Sequence, residues 1–212
     1  MKKQVLLLAF FALLLAASAA AHQPRIVLSS SEQKPVIVHE PEISKVYYSE
    51  LKGQPHFYKI SSNSSFAIYL NVLVAYGSNY TVSAQLLDSN KKVLAALDGA
   101  AYNWTVFYEK FAMEYYLQGP ELGKDFKSTQ RLDAGTYYVK VYNEDNKGKY
   151  VLAVGDLEAF PPLEVVKAVV ITPFLKYSFF GKKIYVVFCA IYMAIVLFVL
   201  YLIAMLFTKK RK

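Results

Sequence analysis

Three histidines, His22, His39 and His56, are the only imidazoles in the chain, and Cys189 is its only thiol. No two histidines stand at the spacing of an HxH or HxxxH pair, so none forms a local metal-binding pair. His22 carries one specific possibility. If a leader is cleaved after Ala21, the α-amine and imidazole of His22 become a two-nitrogen chelate for Cu(II), with His39 or His56 as a third ligand. The alternative is an incidental residue two positions before Pro24. No serine elbow, phosphate loop or paired-carboxylate motif stands out, so neither an enzyme nor a resident cofactor is expected. Asn143–Gly148, NEDNKG, lacks the alternating acids and terminal Glu of a calcium loop and reads as a turn.

A second kind of chemistry lies in aromatic surface. Trp104, Phe107, Tyr108, Phe111, Tyr115 and Tyr116 recur at steps of three and four, the spacing of a short amphipathic helix. The pattern predicts such a helix within Ala100–Lys127, ended by Gly119-Pro120. An aromatic-dense face suits a sugar or a protein partner. The alternative is a cover over an open end of the domain. Asn63, Asn79 and Asn103 head N-x-Ser/Thr sequons and are candidate glycosylation sites.

The elements that must position these residues begin with the two ends of the chain. Met1–Ala21 has a basic start, an apolar run and an alanine-rich end, and reads as a signal peptide cleaved at Ala20 or Ala21. Ile184–Phe207 is uncharged over 24 residues and long enough to span a bilayer as one helix. The basic tail 208–212 that follows places the C-terminus in the cytoplasm. Residues 22–155 are then an extracytoplasmic domain and 156–183 a juxtamembrane segment, where Pro173 is expected to break an apolar stretch. The expected partners are the lipid membrane and an unidentified surface protein or glycan; the oligomeric state is left open.

Composition agrees with this layout. The chain is 55% hydrophobic, with a mean hydropathy of +0.26 and a net charge of +8. Seven of its 24 basic residues flank the leader and the apolar run, leaving 17 against 16 acids over 22–182. The basic excess is therefore a topology signal, and nucleic acid is not an expected partner. With its one cysteine in the apolar run, the outer domain has no disulfide to rely on.

Between the ends, short alternating runs separated by Gly, Asn, Asp and Ser clusters predict an all-β fold, an antiparallel β-sandwich. Ser65–Ala75 reads as one strand with Phe66, Ile68, Leu70, Val72 and Val74 on one face. Leu132–Gly155, LDAGTYYVKVYNEDNKGKYVLAVG, reads as a β-hairpin closing the domain. Its Tyr137, Val139 and Val141 are assigned to the core and Lys140 to solvent.

That last stretch, together with Tyr47–Val72, YYSELKGQPHFYKISSNSSFAIYLNV, resembles bacterial pre-peptidase C-terminal domains. The shared pattern is a small or acidic residue, Gly-Thr-Tyr-Tyr, a turn with Gly, then Tyr-x-Leu. The resemblance covers two blocks of the outer domain and implies a jelly-roll-like sandwich acting as an accessory module. It implies no catalytic residues.

Overall fold

A computed structural model of the chain describes residues 22–110, 112–123, 131–191 and 193–194. The leader, Phe111, the greater part of the apolar run and the basic tail lie outside the described residues. The described chain divides into two units, 1–166 and 167–212.

The first unit is a β-sandwich. One sheet has six strands in the order β1 (Gln23–Ile26), β3 (Lys45–Lys52), β13 (Lys147–Val154), β6 (Leu70–Ala75), β10 (Glu114–Leu122) and β9 (Thr105–Glu109). The facing sheet has five, in the order β2 (Val36–Val38), β4 (His56–Ser62), β12 (Gly135–Tyr142), β7 (Ser83–Leu87) and β8 (Val93–Leu97). A ribbon of β5 (Phe66–Ala67) and β11 (Arg131–Leu132) stands beside them.

The core follows from alternation. Phe66, Ile68, Leu70, Val72 and Val74 all enter one buried cluster, as their shared parity requires. Val139 and Val141 join from the other sheet, and Tyr150, Leu152 and Val154 from β13. The inside-outside assignment of Thr136–Tyr142 therefore holds: Val139 is fully buried, whereas Lys140 reaches over the Tyr142 ring, 4.9 Å from its centroid. Val139→Ala is expected to cost about 1–3 kcal/mol, the range for lost methyls plus an incompletely filled cavity. Lys140→Ala should stay below about 1 kcal/mol. Urea midpoints of the two variants check the register, because a one-residue slip would reverse their order.

Three expectations about pairing need correction. The 132–155 stretch is not a hairpin. β12 pairs with β4 and β7 in the five-stranded sheet, while β13 pairs with β3 and β6 in the other. The turn between them is an arch from sheet to sheet. Asn143 holds that arch: its Nδ2 donates to the carbonyls of Lys147, at 2.8 Å, and Thr81, at 3.2 Å. Second, the sandwich is mixed, because β1 runs parallel to β3 and β2 parallel to β4. A parallel pair needs a crossover, and here each crossover passes through the opposite sheet, β2 lying between β1 and β3 in sequence. Third, Ser65–Ala75 is broken at Ile68-Tyr69 into β5, paired with β11, and β6, paired with β10 and β13.

A helix, α1 (Pro162–Ser178), begins in the first unit and continues into the second. It runs through Pro173, against the expected break. Proline removes one N–H donor and crowds the preceding turn. Thr172 Oγ1 donates to the Ala168 carbonyl at 2.7 Å in that turn. Residues 185–191 form a further helical run. Among the described residues no helix is long and apolar enough to cross a membrane, and 195–207 of the expected span lie outside them.

Candidate functional site

The aromatic stretch 104–116 is a β-hairpin, not a helix. Thr105, Val106, Phe107 and Tyr108 are β-branched or aromatic, the types that suit a pleated surface, and they form β9. The chain turns through Met113, which takes φ 49°, and returns as β10. The three-and-four spacing arose because a strand, a turn and a second strand each placed aromatics in a short space. Gly119-Pro120, expected to end a helix, lies within β10, where the pairing with β6 slips between Gln118 and Glu121.

The hairpin separates the six predicted partner-binding residues. Trp104 is half-buried against the core, and its Nε1 donates to the Gly99 carbonyl at 2.7 Å. Its ring covers Gly119, where a β-carbon would stand 2.5 Å from the indole. Only glycine leaves room for that ring. Tyr116 is buried, with its hydroxyl 2.9 Å from that of Tyr48. Burial pushes the Tyr48 hydroxyl up to about 12 and that of Tyr116 further, so both stay neutral. Trp104 and Tyr116 therefore hold the hairpin, while Phe107, Tyr108 and Tyr115 remain at the surface. Phe111 lies outside the described residues.

The structure adds Tyr76 to the exposed group. Tyr115 pairs with Tyr108 across β9–β10, and the Tyr76 N–H donates to the Tyr115 carbonyl at 3.1 Å. Three tyrosines thus stand side by side on adjacent strands. Ring centroids are 4.7 Å apart for Tyr108–Tyr115 and 6.2 Å for Tyr76–Tyr115. Tyr76, Tyr115 and Tyr108 are 62%, 54% and 43% exposed, and Val106 beside them is 59% exposed. Tyr115 has the parity of Leu117, which packs on the core, and Tyr76 that of Val74, which lies within it. The tyrosines therefore prolong the apolar inner side of the six-stranded sheet past the end of the core. Tyr76 could have been found by extending Val72-Val74 one step of two, up to the Gly77 turn. β9 is also a sheet edge, its second side paired with no described strand.

The three histidines are placed apart in role. The His22 imidazole is hydrogen-bonded to the Ser44 hydroxyl through Nδ1. His39 is exposed beyond β2. His56 is buried, with Nδ1 2.9 Å from the Tyr150 hydroxyl and 3.1 Å from Ser49 Oγ. Among the described residues no group of three or more His, Cys, Asp or Glu is disposed to hold a metal ion. Asn63, Asn79 and Asn103 are all exposed and lie outside the strands. Asn79 and Asn103 fall on the two segments that carry Tyr76 and β9.

No protein-family model matches the chain, and no curated protein matches its sequence. Among solved structures it is similar to the pre-peptidase C-terminal domain of collagenase from Bacillus anthracis. That likeness has 14% identity and a TM-score of 0.32, over 64% of this chain and 96% of that one. It is also similar to PliG from Aeromonas hydrophila, a periplasmic inhibitor of g-type lysozyme. There identity is 11% and the TM-score 0.29, over 64% and 98% of the two chains. The catalytic domain of a GH87 alpha-1,3-glucanase aligns with 54% of this chain and 22% of its own length, at 12% identity and a TM-score of 0.29. The pre-peptidase C-terminal resemblance read from the sequence thus recurs among the solved structures, and none of these likenesses carries an activity or a partner to this chain.

Proposed function

We propose that the chain is a non-enzymatic, single-pass membrane protein whose β-sandwich binds a protein or glycan outside the cell through the Tyr76–Tyr115–Tyr108 face. One observation carries the reading: Tyr108, Tyr115 and Val106 of the β9–β10 hairpin stand exposed beside Tyr76 at the end of β6, and Trp104 and Tyr116 hold that hairpin. Tyrosine offers a large apolar face and a polar tip at low entropic cost, which is why it is favoured at binding surfaces. A contiguous apolar patch on a small domain marks an interaction site. The leader, the apolar run and the basic tail supply the outside orientation and the anchor.

The test is quantitative binding of full-length protein, displayed on cells, to native surface proteins and to a panel of extracellular glycans. Tyr108→Ser with Tyr115→Ser should lower affinity tenfold or more, since buried aromatic anchors carry about 2 kcal/mol or more each. The urea midpoint should scarcely move, because neither ring is in the core. Binding unchanged by the double substitution would reject this face as the site.

A further inference from the structure

A different site opens at the edge of the sandwich where β1 and β2 run side by side in opposite sheets. A cavity of about 310 Å³ lies there, with His39, Glu40 and Ile37 at its exposed side. At roughly 30 Å³ per liquid water, it has room for a small organic anion and attendant waters.

Its inner wall holds a cation that forms no direct ion pair among the described residues. Lys45 is 4% exposed and lines the cavity. Its Nζ donates to two main-chain carbonyls, Glu40 at 2.9 Å and Ile43 at 3.3 Å, and among the described residues no carboxylate stands within ion-pair distance of it. Glu40 meets Lys45 with its carbonyl, not its side chain. An ammonium offers three donors, so one remains for the cavity. Arg25 is the second cation in the wall. It is satisfied by Glu164 Oε2 at 2.7 Å and Gln23 Oε1 at 2.8 Å, which orient the guanidinium. Burying a cation without a counter-charge is costly, and burial already disfavours the charged form of Lys45. The Glu40 and Glu164 carboxylates, both in the cavity wall, oppose that effect and the Arg25 charge adds to it, and the net shift is still downward.

We infer that this cavity is a binding site for a small oxyanion, a carboxylate or phosphate group, seated between the Lys45 ammonium and the Arg25 guanidinium. The anion supplies Lys45 with a directly paired counter-charge and takes its third donor in a charge-assisted hydrogen bond. Gln23 and Tyr47, both in the wall, give the site further polar groups. Burial and the Arg25 charge set the Tyr47 hydroxyl against each other, and burial wins, pushing it up to about 12. Tyr47 therefore stays a neutral hydrogen-bond donor that does not repel an anion. This site is separate from the tyrosine face, and either can fail without the other.

The experiment uses the purified full-length chain with malonate and inorganic phosphate as probes, against chloride at equal ionic strength. Thermal unfolding should shift upward by a few degrees, saturably, in one or both oxyanions, as for any ligand bound by the folded state alone. Malonate acting alone would assign a carboxylate ligand and phosphate acting alone a phosphate-bearing one. Lys45→Met, close in volume and uncharged, should abolish the shift, and Arg25→Gln should reduce it. If Lys45→Met does not fold, Arg25→Gln together with line broadening of the probe's own NMR signal by wild-type protein decides the matter. Shifts equal to those in chloride, or equal in wild type and both variants, would overturn the proposal.

Discussion

Leu152→Ala is expected to be among the most damaging single truncations in the sandwich, at about 2–5 kcal/mol. Leu152 is fully buried and sits in the middle of β13, between Tyr47 of β3 and Val72 of β6. Its neighbours on both sides belong to the same core cluster, as do Val139 and Val141 on the facing sheet. Close-packed walls on both sheets limit how far the site can collapse, which favours the upper part of that range. A domain of this size has a total stability of roughly 5–15 kcal/mol, so the variant should melt at markedly lower urea. Glu50→Ala is the control on β3, since its carboxylate forms only an exposed pair with Lys52 at 3.2 Å. A Leu152→Ala midpoint within error of wild type would mean that β13 does not face the core.

Leu152 also shows what the sequence could and could not disclose. Which residues face inward was legible, because strand alternation fixes parity whatever the partner. That rule places Phe66, Ile68, Leu70, Val72 and Val74, and likewise Tyr137, Val139 and Val141, inward, and all of them are buried in or packed against the core. Which strands pair was not legible. Lys147–Val154 has one apolar face whether it folds back on β12 or crosses to the other sheet, and a polar turn with Asn and Gly serves both. The arch is decided by Tyr47, Tyr48, Leu73 and Val72, which lie far away in the chain and meet β13 only in the folded sheet. The parallel edges β1 and β2 were hidden for the same reason, since their crossovers run through the opposite sheet.

The aromatic site failed at a different step. Steps of three and four in 104–116 match a helix, but they also arise when two strands and a turn each contribute aromatics. The discriminating signal was local: Thr105-Val106-Phe107-Tyr108 is a poor helix start and a good strand. Gly119 argued likewise, because it serves the close approach of Trp104 and ends nothing. The pre-peptidase C-terminal resemblance was legible in Gly-Thr-Tyr-Tyr and Tyr-x-Leu, since those tyrosines and the leucine build the sandwich itself. Tyr150 and Leu152 are core residues, so the motif informs on fold and says nothing of a site.

Tyr150→Phe is expected to cost about 1–3 kcal/mol, although it removes one oxygen and leaves the ring in place. The Tyr150 hydroxyl is 2.8 Å from that of Tyr58 and 2.9 Å from His56 Nδ1, and all three side chains are buried. Ser49 Oγ, 3.1 Å from the same nitrogen, donates to the Val27 carbonyl at 2.9 Å. Phenylalanine would take one partner from Tyr58 and one from His56, whose Nδ1 would keep only the longer contact to Ser49 Oγ, where water cannot replace the loss. The same network sets a pH dependence. Burial holds the His56 imidazole below its ordinary value of 6.5, and the nearby Lys52 ammonium acts in the same direction. The unfolded chain therefore binds a proton that the folded chain refuses, and stability rises with pH across that interval. The contribution of His56 is fully present above about pH 6.5 and is lost as pH falls through the folded value. Its slope can reach about 1.4 kcal/mol per pH unit. Urea melts between pH 5 and 7.5, above the range where ordinary carboxylates titrate, should show the decline in wild type. His56→Phe, which cannot titrate, should lack it. Parallel pH profiles for the two proteins would show that the folded sandwich binds the His56 proton as readily as the unfolded chain does, and would overturn this account.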